Sequence, residues 1–484
     1  MTTRPWLRRA LLRLALLAPL ALSAVFADDA RAAGLYFSDR GVRPMGRAGA
    51  FVAGADDLGA IWYNPAGIAD AGTAFLFDAA WLNFSITYTR ELQIADADGT
   101  LRNVSSPTVK GATSFLPLPT IVASYNFGAH KEWTIAGGLL APYVALASYP
   151  ATVVGADGTP QPSPARYALG SFDGSLLALP GVWMAWKPFK QLRIGLGAMA
   201  LVGKFVSTVT FSACPQDRLL CAPEQPEFDA NAQISVGPII APTANGGIIY
   251  EPEKHVRFGV SGQLPMIVGA DGTFQVRLPT DVVFDGASIQ GDKVHVSFEL
   301  PAVARAGVEV RPIDALRVEA AYVREFWTTQ HSITAYPNGI SIDNVAGLPP
   351  KVPVPTIVIP RGFQDSNSYR LGGEYHFDVA GYWFDARAGV AYETTAVPPP
   401  YLSLSALDFN KTIASLGGGL YIGSHWRFDA LYAHTFAQSV YVDPATAKIG
   451  RLNPLPGNAP FDPVNGGTYK ATADLFGVGV NYRF

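Results

Sequence analysis

From residue 73 to its end the chain is a succession of segments in which apolar and polar or small residues alternate. The last segment, 471–484, puts Thr472, Phe476, Val478, Val480, Tyr482 and Phe484 on one face of a strand. Ala473, Gly477, Gly479, Asn481 and Arg483 fall on the other. A period of two is the signature of a strand with two unlike faces. In 293–311, Val294, Val296, Phe298, Leu300, Ala302, Ala304 and Val308 oppose His295, Ser297, Glu299, Arg305 and Glu309. In 382–393, Tyr382, Phe384, Ala386, Ala388 and Val390 oppose Asp385, Arg387 and Glu393. In 425–440, Trp426, Phe428, Ala430, Tyr432 and Phe436 oppose His425, Arg427 and Asp429, with His434 on the apolar phase.

Fourteen such segments are predicted: 73–90, 118–128, 132–143, 174–187, 191–211, 234–250, 255–276, 293–311, 315–334, 366–378, 382–393, 410–423, 425–440 and 470–484. Alternate links are tight, such as 128–131, 187–190, 251–254, 311–314, 378–381 and 423–424. The links between them are long and rich in Pro, Gly and Asp, such as 144–173, 335–365 and 441–469. An even strand count, short turns at one rim and long loops at the other describe a transmembrane β-barrel. The predicted fold is all-β, a 14-stranded antiparallel barrel over residues 73–484. Charges such as Glu299 and Arg387 cost several kcal/mol in hydrocarbon, so they are expected in the lumen, paired across strands.

The chain begins with Arg4, Arg8, Arg9 and Arg13 around an apolar run from Leu11 to Phe26, followed by Ala30-Arg31-Ala32. This reads as a signal peptide, residues 1–32. The run is short for a spanning helix, which needs about 20 apolar residues. With 12% aromatic and only 15% charged residues, the composition disfavours a cytosolic enzyme. The formal net charge is −3, and removing 1–32 makes it more negative, so nothing argues for nucleic-acid binding. Cys214 and Cys221 lie in a polar, Pro-containing stretch without a His; in an exported chain this favours a disulfide and no metal site.

Residues 33–72 precede the first strand and read as compact, Gly/Ala-rich material folded inside the barrel. Here Gly46-Arg47-Ala48-Gly49-Ala50, then Ala55-Asp56-Asp57, then Asn64-Pro65-Ala66-Gly67 are similar to the hatch of the FadL-type family. These are outer-membrane transporters of long-chain fatty acids and aromatic hydrocarbons. The Asn64-Pro65-Ala66 tripeptide, placed just before the first strand, is the sharpest match, and the resemblance spans the mature chain.

The resemblance implies a hatch at 33–72 that plugs the barrel. It also implies uptake of a hydrophobic small molecule, most simply a long-chain fatty acid, and lateral release through a gap at the third strand. The gap candidates are Gly137, Gly138 and Pro142, since Pro cannot donate to a ladder and Gly weakens it. Ligand candidates are Arg166, Lys204 and Arg324 for a carboxylate, with Val282, Phe284 and Ile357 from two apolar loop stretches. The short loop 212–233, with its two cysteines, departs from the long helical loop expected of the family. No metal, nucleotide or energy-coupling motif stands out, so no cofactor is expected. The expected surroundings are outer-membrane lipid and lipopolysaccharide, and the expected state is a monomer in the bacterial outer membrane. An aromatic-hydrocarbon channel is the alternative. A general porin would need an open lumen, and a lipase would need a Ser–His pair that the scattered histidines do not supply.

Overall fold

Lipid offers no hydrogen bonds, so every strand must satisfy its backbone on its neighbours, and a closed ring leaves no edge over. The computed structural model describes residues 31–32 and 39–484, apart from 97, 114–116, 142–146, 215–223 and 456–460. It is such a ring, a closed antiparallel barrel of fourteen strands. The first seven are β1 (Ala74–Ala95), β2 (Pro117–Phe127), β3 (Trp133–Leu140), β4 (Leu176–Phe189), β5 (Leu192–Ser212), β6 (Asp229–Glu253) and β7 (Val256–Gln263 with Met266–Arg277). The rest are β8 (Lys293–Leu300 with Ala302–Ile313), β9 (Leu316–Phe326 with Ser332–Asn338), β10 (Ser366–Val379), β11 (Tyr382–Glu393), β12 (Lys411–Ile422), β13 (Trp426–Ala437) and β14 (Gly467–Arg483). β1 closes on β14 over an unbroken register from Ala74↔Arg483 to Arg90↔Gly467.

The alternations in β11, β13 and β14 fall as the sequence predicts. Asp385, Arg387, Arg427, Asp429 and Asn481 are buried, whereas Trp426, Phe428, Phe476 and Val478 are exposed to the lipid side. β8 differs. Below Pro301 the buried residues are Val303, Arg305 and Glu309; above it they are Val294, Val296 and Leu300. The pleat therefore reverses at Pro301, and His295 and Glu299 lie on the outward phase, not in the lumen as expected. β7 reverses beside it, between buried Gln263 and buried Met266, at Leu264-Pro265. A proline has no N–H for the ladder, so each break sits where regular pairing cannot continue.

These breaks divide the barrel interior into two storeys. On the side of the short turns the inward residues are charged: Arg193, Arg257, Glu309, Glu319, Arg370, Glu374, Arg387 and Arg427 are all buried. On the side of the long loops they are apolar. Met266, Val268, Phe274, Val294, Val296 and Trp327 belong to one continuous buried cluster there. The outer loops carry a second apolar cluster that includes Phe172, Leu402, Leu404 and Phe409, with Tyr88 and Tyr469 stacked 4.4 Å apart.

Two histidines on the outward phase sit beside carboxylates. His434 Nδ1 lies 2.7 Å from Asp474 Oδ1, to which Tyr432 also donates at 2.9 Å. His295 Nδ1 lies 2.8 Å from Asp271 Oδ1. Exposed side chains of Asp and His mark the level at which hydrocarbon gives way to headgroups.

Candidate functional site

The residues before β1 are short and small enough to fold within a ring of strands. Val42–Met45 (α1) and Ala60–Tyr63 (α2) are single helical turns, and Pro65–Asp70 is a 3-10 helix. Almost every side chain from Asp39 to Ala71 is buried. Asn64 accounts for much of the local geometry. Its Oδ1 accepts the Ala66 N–H at 3.2 Å, capping the 3-10 helix, and Pro65 occupies the first position, where a missing N–H costs nothing. Its Nδ2 donates to Val52 O at 3.0 Å and reaches Ile248 O of β6 at 3.2 Å and Val260 O of β7 at 3.4 Å.

Two devices bind this segment to the wall. The first is close approach. A Cβ at Gly195, Gly247, Gly259, Gly372 or Gly389 would overlap the segment's own atoms at Ala66, Asn64, Val52 or Arg47. These strand glycines leave room for another backbone, the role that glycine serves best. The second device is charge. Arg43 donates to Glu374 at 2.9 and 2.7 Å, to Asp56 at 2.6 Å and to Asp57 at 3.0 Å. Arg317 reaches Asp56 at 2.6 Å and Glu309 at 2.8 Å, while Arg427 reaches Asp57 at 2.6 Å. Glu319 accepts the N–H groups of Val52, Ala53 and Gly54 at 2.6 to 2.9 Å, with Arg47 3.3 Å away. Asp70 binds Lys187, Arg193 and Arg257 at 2.7 to 3.0 Å. Strand-to-strand pairing, the arrangement expected from the sequence, does occur, as in Glu374–Arg387 at 2.6 Å. Much of the lumenal charge is instead spent on the segment, which contacts β1 and β4–β14 and so lies within the ring.

Above this packed floor lies the apolar storey, and among the described residues its unsatisfied charge is Arg361. Arg361 sits in the interruption between Ile357–Pro360 and β10, and is 3% exposed. Its Nε and Nη1 have no hydrogen-bond partner, and its guanidinium lies 5.7 Å from the Phe363 ring. Phe363 packs against both apolar clusters and meets Trp327 edge-on at 5.8 Å. Leaving a buried guanidinium without an anion is costly. The sequence reading missed Arg361, because Pro360-Arg361-Gly362 looks like any loop; the adjacent apolar run was the only signal.

The cations singled out from sequence have other surroundings. Arg166 donates to Asp229 at 2.8 Å and to Glu224 O at 2.9 Å, and stacks on Tyr167 at 4.3 Å. It ties outer loops together, and burial raises the neighbouring Tyr167 hydroxyl above its ordinary range. In the same loop layer burial pushes the Asp408 carboxyl up to about 6, against the pull of Lys411. Lys204 is exposed, opposite Leu176. Arg324 lies on the outward phase of β9, paired to Asp365 at 2.8 Å. Among the apolar candidates, Val282 is exposed, Phe284 is buried edge-on to Phe228 at 6.1 Å, and Ile357 packs against the upper cluster. Cys214 is buried and disulfide-bonded; Cys221 lies outside the described residues.

At the third strand, pairing to β2 and β4 ends at Leu140, and Ala141 N–H donates to Pro119 O at 3.0 Å. Ala147–Ser148 pair with Thr113 and Ala112. Pro142 lies outside the described residues. Gly138 is packed, since a Cβ there would sit 2.5 Å from Ile121 O, whereas Gly137 faces open space.

Known proteins share this architecture. A Pseudomonas aeruginosa FadL homologue superposes with a TM-score of 0.68 at 14% identity, covering 93% of this chain and 99% of its own. The Ralstonia pickettii toluene transporter TbuX gives 0.53 at 14% identity, covering 92% and 99%. The Pseudomonas putida toluene transporter TodX gives 0.56 at 13% identity, covering 92% and 98%. At such identities the likeness establishes the fold. No curated protein sequence matches the chain. A family profile described as outer membrane protein transport protein (OMPP1/FadL/TodX) matches residues 23–484. With nearly its whole length matched, the chain belongs to the OMPP1/FadL/TodX family of outer membrane transport proteins.

Proposed function

We propose that this protein takes up long-chain fatty acids, holding them in the apolar storey beneath the outer loops and releasing them sideways into the membrane. That it is an outer-membrane transporter of hydrophobic compounds follows from its family. The observation that carries the finer reading is Arg361, a buried cation without a counterion amid apolar side chains. A fatty acid brings both a chain to bury and a carboxylate to place there. An aromatic hydrocarbon would leave the cost of that charge unrelieved, and the toluene transporters sharing the fold are no nearer in sequence than the FadL homologue.

In this scheme the residues 33–72 act as a hatch. Residues 39–72 of it fill the charged storey, so water-soluble molecules find no open lumen, and cargo held above them leaves through the wall. The interval after Leu140 is the exit that the family resemblance favours.

Two measurements test this reading. Exchanging Arg361→Met removes an unpaired buried charge, so thermal stability holds or rises. Oleate affinity of the purified protein falls about tenfold, the size of a lost charge-assisted hydrogen bond, while methyl oleate affinity stays. Equal oleate binding by both forms would return the aromatic reading to first place. Pro142→Val supplies a backbone N–H that proline lacks, just beyond the described end of the β3 ladder, and slows oleate uptake into lipopolysaccharide-containing vesicles several-fold. Unchanged uptake would remove strand three as an exit. Gly138 is a poor site for that test, because its Cβ would strike β2.

A further inference from the structure

A second break in the barrel wall lies far from the third strand. β6 and β7 pair from Glu253↔Val256 up to Asn245↔Gln263, and again from Val236↔Gly272 to Asn231↔Arg277. Between these ladders no pairing joins residues 237–243 to residues 265–271. Each stretch keeps its other neighbour. Ile239 to Ala244 pair with β5, and Met266 to Asp271 pair with β8. No ladder joins the two facing edges, and at their lower end Leu264 N–H donates to Ala244 O at 2.8 Å and Leu264 O accepts from Thr243 Oγ1 at 2.8 Å. Pro238, Pro242 and Pro265 lie on them, and none can donate to a ladder.

The position of this seam gives it meaning. On its outer side Ile240, Leu264 and Ile267 are 60% or more exposed, the mark of lipid-facing residues. Its upper end is set by the exposed Asp271–His295 pair, so the seam lies at the level of the outer leaflet. On its inner side Ile239, Ala241, Met266 and Val268 are buried members of the apolar storey. Above Leu264, side chains rather than a hydrogen-bonded ladder therefore separate the apolar interior from lipid. Unpaired strand edges in hydrocarbon cost several kcal/mol per group, so a barrel gains nothing structurally by keeping them.

The seam is also tied to the N-terminal segment. Asn64 donates to Ile248 O and Val260 O, which are opposed residues of the lower β6–β7 ladder. Ser261 donates to Tyr63 O at 2.5 Å, and Asn245, the top residue of that ladder, donates to Ile61 O at 2.7 Å. The Ile61–Asn64 stretch thus holds the two strands together directly beneath the point where they part.

We propose that the β6–β7 seam is a lateral outlet for hydrophobic cargo, gated by the Ile61–Asn64 stretch. This rests on the uptake reading above and adds an exit to it. Displacing that stretch removes the bonds that clamp Ile248 to Val260, and the two strands above them can then spread where no ladder joins them. No backbone pair has to break within the seam itself.

The test uses the full chain with Ile240→Cys and Ile267→Cys, joined by a flexible bifunctional maleimide across the outer face of the seam. Oleate uptake into lipopolysaccharide-containing vesicles falls several-fold on cross-linking. A control pair, Ala430→Cys with Val478→Cys on the β13–β14 ladder remote from the seam, leaves uptake unchanged when cross-linked. A photoactivatable diazirine fatty acid, turned over by the unmodified protein, labels 238–242 and 264–268. Normal uptake through the cross-linked seam, or no label on either stretch, would overturn the outlet while leaving hydrophobic uptake intact. If the unmodified protein carries neither oleate nor toluene, the outlet and the uptake reading fall together.

Discussion

Deleting residues 34–66 converts the protein into a water-filled pore. Steady single-channel conductance rises on the order of tenfold, because a barrel of this strand count has an interior wider than its own side chains can fill. The exposed lumen would present Glu309, Glu319, Glu374, Arg193, Arg257 and Arg370, all buried against the segment in the intact chain. The conductance should be salt-sensitive for that reason. Oleate uptake should fall while small polar solutes leak, since cargo no longer meets a floor. Conductance that stays at the intact level in a folded deletion variant would refute the plug.

A finer change gives the second large effect. Glu319→Ala removes a carboxylate that holds three successive N–H groups, those of Val52, Ala53 and Gly54, and faces Arg47. All these groups are buried, and stranding them costs about 3–5 kcal/mol. The loss falls on the seating of the segment, not on the barrel ladder, where Glu319 contributes only its backbone opposite Glu309 and Gly372. Amide exchange of residues 47–54 should therefore speed up by orders of magnitude while the strand amides stay protected. Brief conductance openings should accompany it. Glu319→Gln keeps one acceptor oxygen and should fall between the two. Protection of 47–54 equal to that of the unmodified protein would show that the glycine contacts alone hold the segment.

The barrel was legible in the sequence because the constraint that makes it is local. A strand between lipid and lumen must alternate, and β11, β13 and β14 do so without interruption. The turn asymmetry and the Asn64-Pro65-Ala66 tripeptide were equally direct. What could not be read was where alternation reverses. In β8, Val294, Val296, Phe298 and Leu300 continue in phase with Ala302 and Ala304 along the chain, yet the former face in and the latter out. Pro301 was the available signal, and Pro265 on the neighbouring strand was its companion. The partners of the lumenal charges were hidden for another reason. Pairing across strands follows from register, whereas Arg43 with Glu374 joins residues 331 positions apart through a segment with no regular period. Arg361 was invisible because its significance lies in what does not surround it.

The segment's bonds also bear on how the molecule is made. Arg427 on β13 holds Asp57, and Val42 packs beside Gly477 and Gly479 on β14, the last strand of the ring. β1 follows the segment directly and zips to that same last strand over its full length. Once this final zip is closed, some thirty folded residues carrying several charges have no route inward. The interior must therefore be furnished before the wall is sealed. In assembly, the segment ahead of β1 waits for β13 and β14, and a nascent barrel that closes too soon would be permanently hollow.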